Sequence, residues 1–356
     1  MSDLEVICEQ RGAAGFITLN RPQALNTLTH GMVRAIASAL DAWELDPAIQ
    51  RVVITGAGER AFCAGGDVRV LYDQGKAGAH AEQLQFWRDE YCLNYRIKTY
   101  PKPYVALIDG IVMGGGVGVS LHGSHRVAGE RFVFAMPEVS IGFFPDVGAS
   151  YFLPRLPGRI GAWAAVTGGR FKAGDACALG LADSFVPRDS WAALLQHLTA
   201  PGDTDAIIAS ASAPPPPAAL PGELAVIDRC FADASLEVML SRLDIVAASG
   251  SRFAAEAAAA MRRNAPLSMA IALEQLRRGA ALNFAETMRM EYRIVSRVCR
   301  APDFYEGVRA LIIDKDQAPS WRPADLSDLE PEAVADYFAP PPDGELDLFA
   351  DSALPE

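Results

Sequence analysis

Glycines and carboxylates carry the chemistry legible in this chain. Phe62-Cys63-Ala64-Gly65-Gly66-Asp67 and Met113-Gly114-Gly115-Gly116-Val117-Gly118 each follow an apolar run that reads as a strand, Val52-Val53-Ile54-Thr55 and Tyr104-Val105-Ala106-Leu107-Ile108. Glycine admits torsions that other residues avoid and lets main chain approach a ligand closely. Two such turns, folded together, could aim two backbone N–H groups at one developing oxyanion. A helix starting at the second turn would add an anion-binding N-terminus. Tight packing of helix on sheet accounts for glycine-rich turns as well. Neither segment is G-x-x-x-x-G-K-[ST], and the second does not give G-x-G-x-x-G cleanly, which argues against a phosphate cradle or a dinucleotide fingerprint.

The second candidate is Met136-Pro137-Glu138-Val139-Ser140-Ile141-Gly142-Phe143-Phe144-Pro145-Asp146-Val147-Gly148, with two carboxylates among apolar and turn residues. Burial would raise their pKa values and suit them to proton transfer or nucleophilic attack. On an exposed turn both would simply be solvated. The histidines, His30, His80, His122, His125 and His197, lack HExxH-like spacing, so surface or core roles are expected and no metal site is predicted. Cys63 reads as a small packing residue, since no histidine stands in a companion motif. Ser120 and Ser140 have no G-x-S-x-G elbow.

These residues need a scaffold that brings loops together. Residues 4–190 alternate short β-like runs with helical stretches, which implies a largely parallel sheet with helical crossovers. Phe16-Ile17-Thr18-Leu19 reads as an early strand, and Met32, Val33, Ile36, Ala37, Leu40 and Trp43 fall on one face of a helix. A second helix is expected over 81–98, and another is expected to begin at the triple glycine. The expected divisions are a catalytic core over 1–200, a Pro-rich linker or excursion over 201–222, a helical region over 223–325 and an acidic, Pro-rich, loosely held tail over 326–356.

Composition bounds the partners. The chain has 356 residues, half of them apolar, and a net charge of −12 with no basic block. That argues against nucleic acid, where a clustered basic face is expected. No apolar stretch reaches the length of a membrane span. The N-terminal Met1-Ser2-Asp3-Leu4-Glu5 has no basic region followed by an apolar one, so no secretory signal is expected. The six cysteines are scattered and read as reduced thiols, which predicts a cytoplasmic compartment.

Taken in order, Arg21-Pro22-Gln23-Ala24-Leu25-Asn26, Ala61-Phe62-Cys63-Ala64-Gly65-Gly66-Asp67, Gly110-Ile111-Val112-Met113-Gly114-Gly115-Gly116 and Met136-Pro137-Glu138 resemble the crotonase (enoyl-CoA hydratase/isomerase) superfamily. Glu90-Tyr91, Val117-Gly118-Val119-Ser120, Phe144-Pro145-Asp146-Val147-Gly148, Tyr151-Phe152-Leu153-Pro154, Arg263-Asn264-Ala265-Pro266-Leu267-Ser268 and Asp303-Phe304-Tyr305-Glu306-Gly307-Val308-Arg309-Ala310 resemble its 3-hydroxyisobutyryl-CoA hydrolase branch. The resemblance implies an α/β fold with a spiral ββα core and a helical C-terminal region. It implies an acyl-CoA thioester as ligand, with CoA part of the substrate and no separate cofactor, and either a trimer or hexamer or a monomer.

By matching position, the N–H groups of Gly66 and Gly115 would form an oxyanion hole, each donor worth roughly 3–4 kcal/mol of barrier. Arg21, Ala24 and Leu25 would border the CoA adenine and phosphates, and Lys315 would contact a phosphate. Hydratases of the superfamily add water with two glutamates. The second matches Glu138, but the first would fall at Gly118, which has no acid/base group. The resemblance therefore implies thioester hydrolysis. Glu138 would be nucleophile or general base, Asp146 would position the substrate hydroxyl or the water, and Glu90 would help bind a short hydroxyacyl group. An enoyl-CoA hydratase or isomerase, or a non-catalytic acyl-CoA-binding subunit, are the alternatives.

Overall fold

A computed structural model describes residues 4–342 and 344–348. Its strands in chain order are β1 (Val6–Arg11), β2 (Ala14–Leu19), β3 (Arg51–Gly56), β4 (Ala61–Cys63), β5 (Tyr104–Ile108), β6 (Ile111–Met113), β7 (His125–Ala128), β8 (Val133–Ala135), β9 (Phe171–Lys172) and β10 (Ser184–Phe185). They form a six-stranded sheet ordered β1-β2-β3-β5-β7-β10 and a four-stranded sheet ordered β4-β6-β8-β9. In the larger sheet β1 and β2 run antiparallel and all other neighbours are parallel. All five residues of β5 are buried, as a strand covered on both faces requires.

Contact density divides the chain into two compact units. One comprises residues up to Asp67, Cys92–Phe134 and Phe171–Ala219; the other comprises Val68–Tyr91, Ala135–Arg170 and everything from Leu220 on. The first holds the sheets. Its helix His30–Leu45 starts at Thr29, whose side chain accepts the Met32 N–H, and buries Met32, Val33, Ile36, Leu40 and Trp43. The helix over 81–98 is found as His80–Thr99. The one expected from the triple glycine is a single turn, Gly115–Gly118. Its glycines lack the propensity to carry a helix further.

The segment 201–222 is more ordered than its prolines suggested. It contains the helix Thr204–Ala211, capped by Asp203, whose side chain accepts the Ala206 N–H. Ile208 joins Phe16, Val53, Val105 and Leu107 in the core of the sheet unit. Fully buried Arg51 on β3 ties the approach to this helix, donating to Thr204 Oγ1 at 2.9 Å, Leu198 O at 2.8 Å and Ala200 O at 2.6 Å. Prolines punctuated the two ends of the segment, but between them Asp203 supplies a cap and Ile208 an apolar anchor. Pro214–Pro217 itself is irregular.

The second unit is helical, with Leu236–Ala248, Arg252–Arg263, Pro266–Gly279 and Phe284–Val298 its longest members from Leu220 on. Local chemistry sets their starts. Ser235 and Ser251 cap the first two, Pro266 occupies the first turn of the third, and Asn283 with Glu286 forms a capping box on the fourth. The expected loose tail is anchored over its described part. Phe338 is buried under the Arg278 guanidinium, 4.1 Å from the ring centroid, Leu346 is buried, and Glu345 pairs with Arg293 at 2.8 Å. The acidic composition hid these apolar anchors. The rest of the expected tail, residues 343 and 349–356, lies outside the described residues.

Candidate active site

Within the sheet unit, the two glycine turns lie side by side. β4 and β6 pair in parallel, Cys63 opposite Val112, so the turns that follow them leave from neighbouring strands. A Cβ on Gly65 would stand 3.9 Å from the Gly115 nitrogen. A Cβ on Gly116 would fall 2.3 Å from Cys63 O, so only glycine permits this approach. Leu28 donates to Gly65 O at 2.8 Å and accepts from Asp67 N at 2.9 Å, which leaves the Gly66 N–H outside that ladder. Gly115 opens the one-turn helix, so its N–H has no intrahelical acceptor. Both N–H groups named from sequence thus belong to adjacent turns. Cys63 is buried packing, as expected.

Arg21, Ala24 and Leu25 belong to the neighbouring loop, Pro22–Ala24 being a 3-10 turn. The Arg21 guanidinium is already committed: it pairs with Asp67 at 3.0 Å and Glu5 at 3.1 Å and donates to Thr27 O at 2.7 Å. Sequence reasoning gave no role to Asn26, which is fully buried at φ 56° and organises this loop. Its amide donates to Ala57 O and Ala61 O and accepts the Arg21 N–H at 2.9 Å. A short polar side chain in left-handed backbone was the available signal.

Within the helical unit, the carboxyl groups are buried rather than solvated. Glu138 opens the 3-10 turn Glu138–Ile141 and is 6% exposed; Asp146 is 4% and Glu90 2% exposed. Val139 O accepts the Ala265 N–H at 3.0 Å, and Pro145 O accepts from Gln275 Nε2 at 2.5 Å, fixing the segment that carries the first two. Trp87 stacks on Phe143 with centroids 5.6 Å apart and meets Phe304 edge-on. Glu138 Oε2 and Glu90 Oε1 are buried and have no hydrogen-bond partner. Asp146 Oδ2 accepts the Tyr91 hydroxyl at 2.9 Å.

Desolvation dominates the electrostatics. It pushes Glu138 and Glu90 well above the carboxylate range, and the nearby Asp146 adds to both. Burial lifts Asp146 to about 7 although the Tyr91 hydrogen bond pulls it down. Sequence reasoning also missed Glu291, which burial lifts to about 8 while the Gly148 and Ser150 N–H groups oppose the rise. Its signal was a charge on the stripe Thr287, Met288, Glu291, Val295, all buried. Lys315, by contrast, is exposed, at φ 58°, on a segment where Arg309 binds its neighbours Asp314 and Asp316.

These shifts predict an unusual stability profile. A carboxyl group whose folded pKa is raised holds its proton longer when folded, so it favours folding below its unfolded pKa of about 4. That contribution is lost as pH rises through the folded values, about 6 for Asp303, 7 for Asp146 and 8 for Glu291. Lowered carboxylates such as Glu274 and Glu306 act the other way, but only at more acid pH. Thermal unfolding should therefore give a Tm that falls steadily from pH 5 to pH 8.5. A Tm that is flat or rises over this window would contradict the buried acid set.

A family profile described as enoyl-CoA hydratase/isomerase matches residues 14–338. The chain belongs to this family. The expected crotonase-type α/β architecture is borne out by solved members. A carnitinyl-CoA dehydratase from Mycobacterium thermoresistibile superposes with a TM-score of 0.92 at 42% identity, covering 98% of this chain and 100% of that one. An enoyl-CoA hydratase from Rhodobacter sphaeroides 2.4.1 gives 0.91 at 44% identity, covering 97% and 100%. Among curated family members, the mitochondrial 3-hydroxyisobutyryl-CoA hydrolase of Xenopus tropicalis is 44% identical over 95% of this chain and 89% of its own length. The human protein of the same name is 43% identical over 94% and 88%.

The cytoplasmic expectation is corrected by these curated relatives, which are mitochondrial proteins. None of the six cysteines is in a disulfide, in keeping with reduced thiols. Free thiols separate reducing from oxidising surroundings, not one reducing compartment from another.

Proposed function

We propose that this chain hydrolyses a short 3-hydroxyacyl-CoA thioester, 3-hydroxyisobutyryl-CoA giving 3-hydroxyisobutyrate and CoA in valine breakdown. The observation that carries the reading is Gly118. It is a buried glycine ending the one-turn helix and brings no acid/base group, while three buried carboxyls, Glu138, Asp146 and Glu90, remain. The names of the curated relatives support the same reaction.

In this reading the Gly66 and Gly115 N–H groups receive the negative charge that develops on the thioester oxygen. Glu138 acts in one of two ways. As nucleophile, its carboxylate oxygen bonds to the carbonyl carbon, the C–S bond breaks, and CoA leaves as thiolate and takes up a proton. Water then opens the mixed anhydride and restores Glu138. As general base, it takes a proton from water that attacks directly. Asp146 orients the substrate hydroxyl or the water, and Glu90 binds the hydroxyacyl group. Arg21, Ala24 and Leu25 border the CoA moiety and Lys315 meets a phosphate. CoA arrives with the substrate, and the reaction calls on no separate cofactor.

A second reading is favoured by the names of the two superposed structures, a dehydratase and a hydratase. It has the chain add water to an enoyl-CoA double bond. One experiment separates the two: an acyl-CoA panel assayed for CoA thiol release and for loss of enoyl absorbance. Hydrolysis predicts thiol release from 3-hydroxyisobutyryl-CoA and negligible hydration of crotonyl-CoA. The reverse pattern would replace the first reading with the second, and tight CoA binding without turnover would replace both with a binding subunit.

A further inference from the structure

Asp146 is followed at once by strained backbone. Val147, a β-branched residue, sits at φ 51°, and Gly148 at φ 90°. A β-branched side chain in left-handed backbone is a genuine outlier and persists only where its surroundings over-determine it. Here one side chain does much of that. Glu291 Oε2 accepts the Gly148 N–H at 2.8 Å and Oε1 the Ser150 N–H at 2.9 Å. The Ala149 N–H returns to Asp146 O at 3.0 Å, closing the turn. Glu291 itself is fully buried in the helix Phe284–Val298. Among the described residues no cation offsets its burial; the two backbone N–H groups oppose it instead. A buried carboxylate is a costly way to hold a turn. A turn with no task could be built from glycine and apolar packing.

We infer that Glu291 is a positioning residue for the hydrolysis, clamping the strained turn that presents Asp146. This inference rests on the proposed reaction. The charge of Asp146 also raises the proton affinity of Glu291. The other titratable groups facing Asp146 are Glu90, Glu138 and Tyr91.

The test compares the full chain with Glu291→Gln and Glu291→Asp. Glutamine can accept one of the two N–H groups, but its NH2 faces the other. With 3-hydroxyisobutyryl-CoA, Glu291→Gln should lower kcat by about 10- to 100-fold, the range expected for a misplacement on the ångström scale, with KM within about threefold. Glu291→Asp keeps the carboxyl group but not the reach, so it should lose kcat as well. Hydrogen exchange at the Gly148 and Ser150 amides should quicken in both variants. A folded Glu291→Gln with wild-type kcat and exchange would overturn the inference. If that variant does not fold, a Glu291→Asp with wild-type kcat and exchange would do so. A wild-type chain that releases no CoA would sink the hydrolase reading instead, and the exchange data would still decide whether Glu291 holds the turn.

Discussion

Glu138→Gln should reduce CoA release from 3-hydroxyisobutyryl-CoA by at least about 10³-fold, because nucleophile and general base alike need the carboxylate. The same substitution should raise Tm at pH 8 and change it little at pH 5. Burial and Asp146 raise the proton affinity of Glu138 in the fold, so its protonated form, of which the amide is nearly an isostere, suits the site best. As pH rises, ionisation becomes easier in the unfolded chain than for a side chain that is 6% exposed and has one oxygen without a partner, so the wild type loses stability. The amide removes that ionisation, exchanging activity for stability as buried functional acids commonly do. Steady-state assay and calorimetry at the two pH values check both halves. A variant that keeps a tenth of wild-type activity would remove Glu138 from the chemistry. A Tm difference equal at both pH values would deny its raised proton affinity.

Gly116→Ala should cost hydrolysis about 10²-fold or more with little change in fold content. The added Cβ would fall 2.3 Å from Cys63 O and 2.8 Å from Cys63 Cβ, so main chain must move on one side or the other. Gly115 precedes it directly, and an oxyanion donor displaced from its target forfeits much of the roughly 3–4 kcal/mol it supplies. The loss should fall on kcat more than on KM, since the donor matters most in the transition state. Gly222→Ala is the matched control, because a Cβ there meets nothing within 4 Å. Wild-type hydrolysis by folded Gly116→Ala would detach the glycine turns from the reaction.

The parallel strands, the helix His30–Leu45 and the side-by-side glycine turns were readable because each has a local cause: an apolar run, a repeating apolar face, a glycine where backbone must pass backbone. The burial of Glu138 and Asp146 was open in sequence. What decides it is distant: Ala265 and Gln275 hold the segment, and Trp87 and Phe304 close around Phe143. Arg21 was expected to border the CoA adenine and phosphates, and its pairing with Glu5 and Asp67 depends on a fold that no spacing reveals. Asn26 and Glu291 act by hydrogen-bonding backbone, and a backbone partner leaves no mark in the residue types around it.

The interleaving of the two units governs the order in which the chain can fold as it is synthesised. The sheet unit is complete in sequence once Ala219 has emerged, but Val68–Tyr91 and Ala135–Arg170 belong to the other unit. Their partners come much later: Trp87 packs against Phe304, Gln83 reaches Tyr305, and Gly148 and Ser150 wait for Glu291. A nascent chain halted near Ala219 would carry two excursions whose partners from Leu220 on are not yet made. Such species invite chaperones or aggregation. Premature truncation should therefore harm this protein well beyond the helices it deletes, and neither unit can be excised as one continuous stretch.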